Sequence, residues 1–280
     1  MTLKNQLKTA LLLGILTAIL LFIGSFFGKS GLTIAIIFVL AMNILTYFFS
    51  DKLILAMYRA KETTKKEHPE LHKIVEEICK TANIPKPKIF IIPTDTPNAF
   101  CCGRNPKNAS IAFTKGILNL LNKNELKGVA AHELAHDKNR DILIATIAAT
   151  VAGIISYVAM MARYATIFGD KDRDSGNVIQ LLLLSILAPI IALLLQLAIS
   201  RSREYIADET GAKFIKDPVA LASALGKLEK ANSQNPLRFG NPSTSSLFIV
   251  KPFRGSAILN LFSTHPDINS RIQRLKELKI

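Results

Sequence analysis

Cysteine is scarce in this 280-residue chain: it has only Cys79, Cys101 and Cys102. An odd count with one adjacent pair is a poor disulfide framework, and it fits a reducing compartment. Adjacent cysteines also lack the spacing of an ordinary zinc-ligand pair. Cys101-Cys102 therefore reads as two strand residues facing opposite sides. Acidic residues are in deficit, 21 against 35 Lys and Arg, which leaves a formal charge of +14. No basic run is interleaved with aromatics and no nucleic-acid motif is present, so nucleic acid is not the expected partner. A small-residue cleavage site is missing too. The first apolar run closes on Ser25-Phe26-Phe27, which argues against a signal peptide.

The chain does have long uncharged runs, and 49% of it is hydrophobic. Two runs, 9–27 and 32–49, are separated only by Gly28-Lys29-Ser30-Gly31 and predict a transmembrane hairpin over 1–50. Two more, 142–162 and 178–199, predict a second hairpin over 142–199, with a buried soluble helix pair as the alternative. Pro189 would kink the fourth run without excluding a span. Asn43 reads as packing glue between spans. Lys52, Arg59, Lys61, Lys65 and Lys66 crowd behind the second run, so by the positive-inside rule that side is cytoplasmic. Both termini and the soluble segments 51–141 and 200–280 then share the cytoplasmic side.

Within 51–141, Leu71, Ile74, Val75 and Ile78 make the apolar stripe of a helix over 68–82. Lys88 to Ile92 is a strand, and 98–102 with 109–114 forms a hairpin around Gly103 to Asn108. A short helix over 115–122 follows. The next helix, with Asn124 as its N-cap, carries His132-Glu133-Leu134-Ala135-His136. Two histidines four residues apart share a helix face and can both reach one Zn²⁺ at about 2.0–2.1 Å. Glu133 is then placed as general base toward a water at the metal. After residue 199, helices are expected from 201 to near Gly211, from 218 to 230, and from His265-Pro266 onward with Ile268, Ile272, Leu275 and Leu278 in helical spacing. Residues 232–253 read as a long loop near the site.

A third ligand follows from heights. His136 lies six residues before Ile142, roughly 9 Å along a helix; Glu204 lies five residues after Ile199, roughly 7–8 Å. If both runs span, Glu204 arrives level with the histidines, completing a His132, His136, Glu204 set with one open position, the catalytic rather than the structural pattern. An exposed helix carboxylate is the competing reading of Glu204. Asp208, one turn on, reads as acceptor for the outer N–H of His132, or as a surface partner of Arg203 or a lysine.

These residues resemble the HtpX family of membrane zinc endopeptidases and, more distantly, the integral-membrane CAAX prenyl protease. The resemblance rests on Pro97-Asn98-Ala99-Phe100, Gly103-Arg104-Asn105-Pro106, His132 to His136, Ser202 to Asp208, and Ser263-Thr264-His265-Pro266 with Arg271, and it covers nearly the whole chain. It implies a mainly α fold with a small β-sheet: four transmembrane helices and a cytoplasmic zincin-like metalloprotease domain holding one Zn²⁺. It implies turnover of misfolded membrane proteins, with membrane or unfolded polypeptides as substrates and the lipid bilayer as surroundings. It assigns Asn98, Ala99 and Phe100 to an edge strand pairing with substrate, and His265 to oxyanion stabilisation; without it, His265 would be a residue leading into the last helix. Arg271 is equally a site residue, a partner of Glu277 or a surface residue. An intramembrane protease of the site-2 type and a non-catalytic zinc scaffold are the rivals.

Overall fold

The computed structural model describes residues 28–139, 142–151, 201–237, 239–240, 242–253 and 266–280, with isolated positions between 7 and 25. The fourth apolar run, most of the third, and His265 lie outside the described residues.

The second apolar run is longer than its sequence limits. It forms α1, Gly28–Met57, taking in the expected turn residues Lys29 to Gly31 and continuing past Asp51 and Lys52. Lys29 to Asp51 encloses roughly 33 Å of uncharged helix at 1.5 Å per residue, enough for a hydrocarbon core of about 30 Å. Ile34, Ile37 and Leu40 are 60–68% exposed, an apolar face that lipid would cover. Among the described residues α1 alone is long and apolar enough to cross a membrane. Asn43 Nδ2 donates to Thr17 Oγ1 at 2.8 Å, the gluing role expected of it.

A four-stranded mixed sheet of β1 (Lys61–Glu62), β2 (Lys88–Ile92), β3 (Ala99–Gly103) and β4 (Ala109–Thr114) has the order β1-β2-β4-β3. β2 and β4 are parallel, from Lys88↔Ser110 to Ile92↔Thr114. β3 pairs antiparallel with β4, the predicted hairpin, in the register Ala99↔Phe113 and Phe100↔Ala112. β3 is thus an outer strand. One face of the sheet packs under α2, Pro69–Ala82, through Leu71, Ile74, Val75, Ile89, Ile111 and Phe113. The other buries Phe100, Cys102 and Ala112 against Ile54 and Tyr58, which follow α1 out of its apolar stretch. Cys101 and Cys102 do face opposite ways, Cys101 joining Ala109 and Ile142.

After α3, Lys115–Leu120, comes α4, Lys123–Lys138. Its N-cap is Asn122, not Asn124: the Asn122 side chain accepts from Glu125 N–H while Glu125 reaches back to Asn122 N–H. α5, Ile142–Val151, is the described part of the third run. α6, Arg201–Ile215, runs through Gly211 rather than ending there, and α7, Pro218–Gln234, outlasts its expected end. The expected loop 232–253 is partly ordered as a 3₁₀ turn, Pro242–Leu247, and then buries Leu247 to Val250. α8, Ile268–Glu277, closes the fold against α6 and α7.

Candidate metal centre

α4 and α6 approach almost backbone to backbone. A Cβ on Gly211 would stand 2.8 Å from His132 N and 2.9 Å from Ala131 C, so only glycine fits there. Glu204 lies seven residues and Asp208 three residues before Gly211 on α6, one stripe of a helix. The contact that demands glycine therefore points both carboxylates at His132.

His132 is fully buried, Glu133 and Glu204 nearly so. His132 Nε2 stands 3.6 Å from Glu204 Oε2, and His136 Nε2 stands 3.5 Å from Glu204 Oε1. One ligand atom from each of the three lies within 4.8 Å of the others. The sequence-predicted ligands are brought together as a set, and their donors suit a divalent ion with imidazole affinity. Asp208 Oδ1 is 2.9 Å from His132 Nδ1.

Arg271 is completely buried, which overturns the surface and Glu277 readings. Its Nε donates to Asp208 Oδ2 at 2.8 Å and its Nη2 to Asp208 Oδ1 at 2.7 Å, a bidentate pair. Nη1 donates to Ile249 O at 3.0 Å and stands 3.5 Å from Glu204 Oε2. One guanidinium thus holds Asp208 against His132 and reaches Glu204. The sequence carried a signal for this: Arg271 falls on the apolar stripe of Ile268, Ile272 and Leu275.

These contacts set the protonation pattern. Burial would lower His132, but Asp208 and Glu204 outweigh it and push it up to about 9. Burial takes His136 down to about 4 and Glu133 up to about 8. Burial works against the ionised Asp208, yet Arg271 holds it below its ordinary value. A bound divalent cation would take the place of the His132 proton. Burial raises the Cys101 and Cys102 thiols and takes Cys79 up to about 12.

The Glu133 carboxylate faces the sheet, where the Cys101 main chain favours its ionised form against burial. The cleft beside it is lined by His132, Glu133, His136 and Glu204, with Ile142 and Phe248 on the apolar side. Asn98, Ala99 and Phe100 are buried at the start of β3. The roles of Gly211, Ile249 and the Cys101 main chain had no local signal in the chain.

Residues 65–279 match the model of peptidase family M48. The chain is 54% identical over 280 residues to a protease HtpX homolog of Persephonella marina, covering 98% of this chain and 97% of that one. A homolog from Syntrophobacter fumaroxidans is 50% identical, covering 98% and 99%. One from Pyrococcus furiosus is 52% identical over 274 residues, covering 97% and 95%. The crystal structure of S. mikatae Ste24p is similar in fold, with a TM-score of 0.53 at 22% identity, over 98% of this chain and 67% of that one.

Proposed function

The chain belongs to peptidase family M48 and is a metallopeptidase, and from that membership we propose a zinc endopeptidase anchored in the cell membrane that cleaves exposed segments of misfolded membrane proteins at the cytoplasmic face. The observation that carries the reading is the buried His132, His136, Glu204 set with Glu133 on the same helix. Four spans, with both termini cytoplasmic, are the proposed topology. The basic residues directly behind α1 support the orientation.

The three ligands would hold one Zn²⁺. When bound, the ion lowers the pKa of a water molecule and polarises the scissile carbonyl. Glu133 takes a proton from the attacking water and passes it to the leaving amine. Burial alone would keep Glu133 protonated, and a cation held beside it would favour the ionised form that can act as a base. Asp208 and Arg271 fix the ring of His132. Asn98, with Ala99 and Phe100 at the start of β3, would align the substrate main chain as an added strand, and His265 would help stabilise the oxyanion.

The charged surroundings of α4 speak against an intramembrane protease. Lys127 donates to Glu77 at 3.0 Å on an exposed face, and Lys123 pairs with Glu70. An intact Glu133 beside the ligands speaks against a purely structural metal. The test is Glu133→Gln in the purified full-length protein. It is expected to hold zinc with parent stoichiometry and to lose casein hydrolysis by about three orders of magnitude or more. Parent-rate cleavage by the variant, or by parent enzyme in excess chelator, defeats the reading.

A further inference from the structure

β3 is an outer strand whose free edge is already occupied. Ala99, Cys101 and Gly103 turn their main-chain groups away from β4, and Ala99 O and Gly103 N–H find partners inside the chain. Ala99 O accepts from Ile249 N–H at 3.1 Å, and Gly103 N–H donates to Thr146 Oγ1 at 3.1 Å. Val250 completes the pairing. Asn98 Nδ2 donates to Val250 O at 2.7 Å, and Val250 N–H donates to Asn98 Oδ1 at 3.4 Å. With Ile249 O held by Arg271 Nη1, all four main-chain groups of Ile249-Val250 are engaged, and both residues are 1% exposed. This dipeptide sits where a substrate strand would lie, and strands spaced about 4.8 Å apart leave room for one chain there.

The same segment hangs from the end of α1. The Tyr58 hydroxyl bonds the Thr244 hydroxyl. Phe248 meets the Tyr58 ring edge-on at 5.0 Å and the Phe100 ring at 5.1 Å. Gly240, at φ +96°, lies so close to Tyr58 that a Cβ there would run into the ring. Ser246, Leu247, Phe248 and Ile249 also wall the cleft beside Glu133.

We propose that Ser245 to Val250 is a strap that closes the substrate edge of β3. An extended peptide displaces Ile249 and Val250, takes over Ala99 O and the Asn98 amide, and presents a carbonyl to Arg271 Nη1. Tyr58, fastened to the membrane helix, sets how readily the strap lifts. The inference rests on the β3-edge reading of substrate binding given above. Because peptide replaces strap bond for bond, opening is an exchange rather than a net loss of hydrogen bonds. The closed fraction then weakens apparent affinity and leaves turnover of bound substrate unchanged.

Hydrogen exchange read by mass spectrometry tests this on full-length, zinc-loaded Glu133→Gln. The probe is a casein peptide spanning a bond that the parent enzyme cuts. The expected result is that saturating peptide raises exchange in the fragment covering 244–250 while β3 stays protected. Unchanged exchange in the strap, with added protection elsewhere along β3, overturns the strap and leaves the edge reading standing. Peptide binding that touches neither segment overturns both. In the active enzyme, Tyr58→Phe and Thr244→Val each remove the same bond from opposite ends. Each is expected to lower KM about three- to tenfold with kcat held, and the double variant to gain no more than either alone. Parent KM in both single variants overturns the part given to Tyr58.

Discussion

A guanidinium with no exposed surface is tolerable only where its charge is matched. Asp208 matches that of Arg271 with two bonds of 2.8 and 2.7 Å. Arg271→Ala would strand the Asp208 carboxylate in a dry interior, at a cost of about 3–5 kcal/mol. Arg271→Lys keeps the charge but has no fork, so Asp208 and His132 lose their fixed orientation. Zinc affinity is expected to fall about 10- to 100-fold, read by competitive titration against a chromophoric chelator. A Lys variant with parent affinity would mean that the fork does not orient His132. The candidate histidine pair was legible in the chain because His132 and His136 need only one helical turn to meet. Glu204 needed a second helix at the right height. The pairing of Arg271 with Asp208 was not legible, because it joins residues 63 positions apart and no local period reports it. Only the oddity of a charge on an apolar stripe hinted at it.

The helices that carry the site are set by contacts a linear reading weighs poorly. Gly211 looks like a helix stop, since glycine is common just past helix ends. The structure uses it mid-helix, because a side chain there would collide with the backbone of α4. Gly211→Ala is expected to force α4 and α6 apart, lowering stability by about 1–3 kcal/mol and weakening zinc binding together. Melting curves with and without zinc check this, and a variant that is stable with unchanged zinc affinity would contradict it. Asn122 shows the same lesson at the other end of α4: a capping box depends on Glu125 facing back, which composition alone does not reveal. Glu125 also accepts from Lys227 Nζ and Ser223 Oγ at 2.8 and 2.7 Å, tying α4 to α7. Burial opposes its ionisation, but Lys227, Ser223 and the Asn122 N–H together hold its pKa below the ordinary value. A depressed carboxylate stabilises the fold above its unfolded pKa and loses that contribution as pH falls through the folded one. Glu125→Gln should therefore be less stable by about 1–2 kcal/mol at pH 7. The gap to the parent should close as the pH drops below about 4.3 and through the depressed value. A gap constant from pH 7 to pH 3 would assign the effect to packing. By contrast, the β3–β4 hairpin and α2 were readable outright, since turn residues and a 3.6-residue stripe are local signals.

At the scale of the whole molecule, α1 joins membrane and site without a hinge among the described residues. Its uncharged stretch ends at Ser50, and Tyr58 stands eight residues on, roughly 12 Å higher along the same axis. Tyr58 touches Phe100 of β3, with ring centroids 5.8 Å apart, and the next residue, Cys101, lines the cleft together with Glu133. With α1 upright, Glu133 therefore sits on the order of 12–15 Å above the bilayer core, a distance set by helix geometry. An extended chain rises about 3.4 Å per residue, so a membrane-embedded substrate needs about four residues clear of the bilayer before a bond reaches Glu133. Reporter substrates with one span and graded linkers should show this in proteoliposomes. Cleavage is expected to be absent when the first candidate bond lies one or two residues from the span, and to begin near four. It should then decline only gradually with longer linkers, because loop-closure entropy grows slowly with length. Mass spectrometry of the products locates each cut. Cuts within the span would place the chemistry inside the bilayer and overturn the surface reading. Indifference to linker length down to one residue would show that the site moves relative to α1, against the continuous path from Ser50 through Tyr58 to β3.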